Sequence, residues 1–458
     1  MSNNTLLSPP PAAQLKEKFA KIKPRMTDNE AVIEASRCLF CHDAPCTIAC
    51  PSDIDIPMFI RQISSQNPTG AAKTIFTQNI LGKSCAYVCP TQMLCEGSCV
   101  YHGLNEQPID IGRLQGYASD LAIDNDIRFF EKGKSTGKKV AVVGGGPAGL
   151  ACAHELTRLG HDVTVFDANP VLGGLNTYGV APYKLDNEGA KREADYIQKI
   201  GFEVKSGVKV VSGEPKENQI ALSTLEKEYD AVFLGLGLGK SNKLGIPGED
   251  VEGVIGAAEF IYKLREKEQK IPVGHNVVVV GAGNTAMDAA IESALLGANV
   301  VVVYRRGEAD QSAYDFEVEH AKKAGVGFTY LASPTKIMGK KRVEALKCVR
   351  NELTKQQSEN EKGKSKTMVR AVPNSDFLIP CDMVIMATGQ EKFAEFCESI
   401  AGAELDNGKL KVNEQFQTGN PKFFAGGDCI NGGKEVVNAV ADGRDAARGI
   451  DKFLLGDR

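Results

Sequence analysis

The chain has 458 residues, 42% of them hydrophobic, with a formal net charge of -4 and a pI near 6.0. That length exceeds one ordinary domain, and the mildly acidic balance excludes the basic footprint of a nucleic-acid or anionic-membrane binder. No apolar run reaches the roughly 18 residues that span a bilayer, and residues 1–13 lack the charged and apolar regions of a secretory leader, so a cytoplasmic protein is expected.

In chain order, the first zone runs to about residue 130 and carries helical patterns at residues 12–22 and 27–37. Of 13 cysteines, eight fall between Cys38 and Cys99, while Cys152, Cys348, Cys381, Cys397 and Cys429 stand singly. In a cytosolic chain of this size such crowding points to metal rather than to disulfides. The spacings are Cys38-x2-Cys41-x4-Cys46-x3-Cys50-Pro51 and Cys85-x3-Cys89-Pro90-x4-Cys95-x3-Cys99. Two zinc sites would usually show paired C-x2-C knuckles, and here there is only one. A Cys-Pro after a fourth cysteine is the arrangement of two-cluster ferredoxins, in which that cysteine serves the other cluster. Two [4Fe–4S] clusters are therefore expected.

A Lys/Gly/Ser linker at residues 131–138 leads into an α/β zone. Residues 140–143 read as a buried parallel strand, residues 150–159 as a helix and residues 162–166 as a second strand. Between the first strand and the helix, Gly144-Gly145-Gly146-Pro147-Ala148-Gly149 fits G-x-G-x-x-G: a tight turn, a close approach to a pyrophosphate, and close helix–strand packing. Asp167 follows Gly144 by 23 residues, at a strand end where a ribose hydroxyl needs an acceptor.

The grammar repeats 137 residues later: strand 276–280, turn Gly281-Ala282-Gly283-Asn284-Thr285-Ala286, helix 285–296, strand 299–304. This second strand ends in Arg305-Arg306 with no acid. Guanidinium groups can bind a 2′-phosphate bidentately, so the first turn reads as an FAD site and the second as an NADPH site. As a solvated strand end, the arginine pair would leave NADH as the donor. Residues 354–366 read as a solvated loop. Met386-Ala387-Thr388-Gly389 resembles the segment where two-dinucleotide flavoproteins re-enter the FAD domain, and Phe424-Ala425-Gly426-Gly427-Asp428 resembles their closing motif. The helical stretch at 436–450 would then present its N-terminus to the flavin. Relatives that reduce disulfides need a close cysteine pair beside the flavin. Cys152 stands alone and no cysteine occurs from 153 to 347, so disulfide reduction is excluded and Cys152 is expected to be a buried apolar residue.

Together, the cysteine array, the segment Pro108-Ile109-Asp110-Ile111-Gly112-Arg113-Leu114-Gln115, both glycine turns and Gly427-Asp428 resemble the N-terminal half of dihydropyrimidine dehydrogenase, and its stand-alone flavin subunit. The resemblance implies a helical two-cluster domain at 1–130, a discontinuous Rossmann-like FAD domain at 131–265 and 385–458, and an NAD(P)H domain inserted at 266–384. It implies that Cys38, Cys41, Cys46 and Cys99 hold one cluster. Cys50, Cys89, Cys95 and Gln115 hold the other, with Cys85 a neighbour that does not ligate; alternatively, Gln115 is a polar helix residue and Cys85 completes a four-cysteine set. The glutamate synthase small subunit has a similar array, but Glu rather than Gln is expected there at this position.

Gly174 and Leu175 are expected near the isoalloxazine ring by the same resemblance. Hydride transfer from a nicotinamide to FAD needs stacking and orientation more than acid–base chemistry, so no catalytic acid or base is assigned. The implied partner is an FMN-containing, pyrimidine-reducing subunit in a hetero-oligomer. This chain alone is expected to reduce artificial acceptors but not uracil or thymine.

Overall fold

The computed structural model describes residues 6–357 and 365–456. They divide into two compact units, Lys21–Leu238 with Lys392–Arg458, and Met1–Ala20 with Gly239–Glu391.

The larger unit begins with short capped helices. Thr27 and Glu30 form a reciprocal capping box at Asp28–Ser36, and Asp55, Asn67 and Asp110 cap Ile56–Ser64, Pro68–Gln78 and Ile111–Asp124. Within Ile56–Ser64 the buried residues are Ile56, Phe59, Ile60 and Ile63, a helical stripe that faces the core. The five-stranded sheet that follows is parallel throughout, in the order Phe423–Ala425, Ala231–Leu234, Lys139–Val143, Asp162–Asp167, Glu203–Ser206. Lys139–Val143 is buried along all but its first residue, as a strand covered by helices on both faces must be. The helices Pro147–Arg158 and Val436–Leu455 cross closely, because a Cβ on Gly443 would lie 2.0 Å from the Ala148 carbonyl oxygen.

The cysteine-rich helices share one continuous apolar core with this sheet. Phe76 packs on Tyr196 and Phe129 with ring centroids 5.6 and 6.1 Å apart, and Phe130 meets His154 at 5.5 Å. The linker is pinned as well: the Gly133 N–H donates to the Thr157 carbonyl and the Thr136 N–H to that of Gly160.

The smaller unit holds a second parallel sheet, in the order Gly327–Thr329, Asn299–Val303, Asn276–Val280, Met383–Met386, Val254–Gly256. Val254–Gly256 and Met383–Met386 pair within this sheet, so residues 239–265 and 385–391 pack with the inserted unit, as do residues 6–20. A separate antiparallel sheet of Ala332–Met338, Ala345–Gln357, Ser365–Ala371 and Phe377–Pro380 completes the unit. It corrects the expectation of a loop at 354–366: Thr354 pairs with Met368 and Gln357 with Ser365, while residues 358–364 lie outside the described residues. No helix among the described residues is long and apolar enough to cross a membrane.

Candidate functional site

The eight crowded cysteines line two cavities, four in each. Cys38, Cys41, Cys46 and Cys99 face the first, walled by Ile56, Ile60 and Ile111. Cys50, Cys85, Cys89 and Cys95 face the second together with Gln115 and Val437. Cys99 from the second run lines the first cavity, and Cys50 from the first run lines the second. Among the described residues, no group of three or more His, Cys, Asp or Glu is arranged to hold a single metal ion. A zinc site needs its donors converged on one point about 2.3 Å from each sulfur. Four cysteines on an apolar cavity are the donor set of a [4Fe–4S] cluster.

Burial pushes the Cys46 thiol up to about 11, and burial also raises those of Cys38 and Cys95. For Cys89 the first cause is its contact with the Cys85 thiol, then burial. These thiols ionise only against a metal's positive charge.

Cys85 and Gln115 both reach the second cavity, so the backbone brings five candidate donors to it. The Gln115 amide nitrogen donates to the Gly82 carbonyl at 2.7 Å, which leaves the amide oxygen as the end available to the cavity. Three further residues, Asn79 on this wall and Ser52 and Arg444 behind it, were not signalled by the cysteine spacing. Ser52 Oγ lies 3.4 Å from Cys50 Sγ, Asn79 Nδ2 donates to Ser52 Oγ at 3.4 Å, and Arg444 donates to the Ser52 carbonyl at 2.7 Å.

The first glycine turn is tight, with little room for side chains. Gly144 has φ +99°, and a Cβ there would lie 2.3 Å from the Gly235 carbonyl oxygen; at Gly149 one would lie 1.8 Å from that of Gly144. At Gly146 the nearest atom to a Cβ is 3.7 Å away, so open space remains over that backbone. Pro147, Ala148 and Gly149 form the first turn of a helix whose N-cap, Gly146, has no capping side chain, which leaves its N–H groups for an anion. The Asp167 carboxylate accepts the Gly145 N–H at 2.6 Å and the Asn169 N–H at 2.7 Å. Burial raises its pKa.

Gly174 is brought against this turn, since a Cβ on it would sit 2.8 Å from Gly146 Cα, and Leu175 beside it is exposed. Gly427 takes φ +77° and donates its N–H to Asp442 at 2.9 Å, and the Asp428 carboxylate accepts the Lys434 N–H at 3.2 Å. Cys152 is fully buried and burial holds its thiol protonated; all 13 cysteines are free.

In the smaller unit, Gly281 has φ +130° and Gly283 caps Asn284–Leu295 without a side chain, so Asn284, Thr285 and Ala286 form another open helix start. Asn284 Oδ1 accepts the Tyr314 N–H at 3.0 Å. The Arg305 and Arg306 carbonyls accept hydrogen bonds from Asn351 Nδ2 and the Leu331 N–H, so the backbone is fixed while neither guanidinium has a carboxylate partner among the described residues. Arg306 Nε is buried without a hydrogen-bond partner.

Residues 138–443 match the pyridine nucleotide-disulphide oxidoreductase family, and residues 15–127 match the family described as dihydropyrimidine dehydrogenase domain II, 4Fe-4S cluster. The glutamate synthase [NADPH] small chain of Escherichia coli is 35% identical, over 97% of this chain and 96% of that protein. The NAD-dependent dihydropyrimidine dehydrogenase subunit PreT of Escherichia coli is 33% identical, over 95% of this chain and 97% of that protein. Among solved structures, Mycobacterium tuberculosis FprA in complex with NADPH superposes with a TM-score of 0.55 at 21% identity, covering 69% of this chain and 84% of that one. At that identity the likeness is one of fold.

Proposed function

This chain belongs to the pyridine nucleotide-disulphide oxidoreductase family and carries a 4Fe-4S domain of the dihydropyrimidine dehydrogenase type, and from that premise we propose that it is the electron-input subunit of a dihydropyrimidine dehydrogenase. It is an NAD(P)H-dependent flavin and iron–sulfur oxidoreductase. When bound, FAD supplies hydride acceptance and the clusters supply one-electron carriage. The residues of the chain hold and orient these groups. Gly144 to Gly149 and Asp167 take the flavin nucleotide's pyrophosphate and ribose, and Gly427 and Asp428 take its ribityl chain. Gly281 to Ala286 receive the nicotinamide nucleotide, with Arg305 and Arg306 on a 2′-phosphate. The two cysteine sets, with Gln115 in the second, hold two clusters from which electrons pass to an FMN-containing, pyrimidine-reducing partner.

The observation that carries this choice of partner is Gln115, an amide at a position where a glutamate synthase subunit is expected to have a carboxylate. The 35% identity to the glutamate synthase small chain favours a second reading, input to that enzyme. The test is anaerobic purification of the chain, counting of iron and flavin, and titration of its visible spectrum with NADPH and with NADH. About eight irons and one flavin, bleached by either nucleotide, are expected. The chain is then mixed with an FMN-containing pyrimidine-reducing subunit or with a glutamate synthase large subunit. Nucleotide-driven uracil reduction with the first supports the proposal; turnover only with the second replaces it.

A further inference from the structure

We propose that Ser52 is a positioning residue that sets the reduction potential of the iron–sulfur cluster at Cys50, through a hydrogen bond from its hydroxyl to the Cys50 sulfur. The inference rests on reading the second cavity as a cluster site.

The Cys50 Sγ to Ser52 Oγ distance is 3.4 Å, within reach of a hydrogen bond to sulfur. A cysteine that ligates iron has lost its proton, so only the hydroxyl can donate across this gap. The hydroxyl is aimed from its other side. Asn79 Oδ1 accepts the Leu81 N–H at 3.0 Å, which turns the amide nitrogen toward Ser52 Oγ, 3.4 Å away. That nitrogen occupies a lone pair of the oxygen and steers its hydrogen toward the sulfur. Ser52 and Asn79 are both completely buried, so no water competes for either.

The backbone is held as firmly. Arg444 Nη1 donates to the carbonyls of Ser52 and Gln78, at 2.7 and 3.1 Å, and to Gln78 Oε1 at 2.9 Å. One guanidinium thus clamps the residues next to both Pro51 and Asn79, two of the cavity's walls. It comes from Val436–Leu455, the helix that also places Val437 against the same cavity.

Hydrogen bonds to cluster sulfurs favour the reduced, more negative state and raise the potential. Reduction adds one electron, supplied through the flavin by NAD(P)H, and the hydroxyl proton stays on Oγ. Ser52→Ala deletes one oxygen atom and the hydrogen bond with it.

The test is a redox titration of the whole chain followed by electron paramagnetic resonance, wild type against Ser52→Ala. The reduction equilibrium of one cluster is expected to fall about tenfold, which is 59 mV for a one-electron couple. The other cluster and the flavin keep their potentials. In parallel, an exchangeable-proton coupling of that cluster, removed from the wild type by D2O, is absent in the variant. Unchanged potentials with both clusters present overturn the inference and leave the functional proposal standing. An equal shift in every centre also overturns it, as a general structural effect. Wild-type protein without iron overturns both. If Ser52→Ala fails to take up iron, Asn79→Ala is titrated instead, since it keeps the hydroxyl but releases its orientation. A lowered potential at one cluster then supports the inference, and an unchanged one overturns it.

Discussion

Gln115 and Gly82 are joined by a 2.7 Å hydrogen bond from the glutamine amide nitrogen to the glycine carbonyl, and this bond fixes which end of the amide is left for the cavity of Cys50, Cys89 and Cys95. A carboxylate cannot donate to that carbonyl, and it brings a negative charge. Gln115→Glu is therefore expected to lower the potential of one cluster and leave the other unchanged, read by redox titration. Cys85→Ala is expected to keep about eight irons and Cys89→Ala about four, if the amide and not Cys85 is the fourth donor.

Lys83 and Asp120 form an ion pair that is almost wholly buried, with the Tyr87 hydroxyl donating to the same carboxylate at 2.6 Å. Removing one partner strands the other charge. Lys83→Met should cost about 3–5 kcal/mol of stability by chemical denaturation. Lys83→Met with Asp120→Leu should recover much of it; a double variant as unstable as the single one would contradict this account.

Glu193 accepts from the backbone N–H and hydroxyl of Ser84, and burial pushes its pKa from the ordinary 4.5 to about 7. Between those values the folded chain holds a proton that the unfolded chain has released. Stability contributed by this group is therefore full below about pH 4.5, falls by about 1.4 kcal/mol per pH unit as pH rises, and is lost above about pH 7. Denaturation curves of wild type and Glu193→Gln should converge in slope only outside that window.

At the crossing of the two helices, Gly443 leaves no room for a side chain over Ala148. Gly443→Ala forces apart Pro147–Arg158 and Val436–Leu455, at a cost of about 3 kcal/mol. Because Ala148 lies in the first turn over the glycine loop, flavin retention should fall along with the melting temperature.

Replacing Arg305 and Arg306 together with alanine should raise KM for NADPH about tenfold and leave that for NADH unchanged, as expected for loss of charge-assisted hydrogen bonds to a 2′-phosphate. If both constants move together, the pair does not select the nucleotide.

The glycine turns and their flanking strands were legible because a tight turn, an apolar run and a helix start all fall within a few residues. The helix expected at 150–159 forms at Pro147–Arg158, and the strand at 276–280 matches residue for residue. Val254–Gly256 escaped notice because three half-buried residues carry no period, and only pairing with the distant Met383–Met386 makes them a strand. The strand through Thr354 was hidden for a different reason. Glu352, Leu353 and Thr354 are all exposed, so no buried face imprints an alternation. Cysteine spacing announced metal. It could not reveal Ser52, Asn79 or Arg444, whose meeting depends on a helix nearly the whole chain away.

The two cavities differ in how much of the polypeptide they require. The donors and walls of the first are complete once Ile111 has been made. The second lacks part of its wall until Val437 exists, and its Ser52 carbonyl is unanchored until Arg444 does. Synthesis from one end therefore delivers the two linings unequally: the first is made in full by Ile111, while the second waits for Val437 and for the Arg444 that anchors its edge.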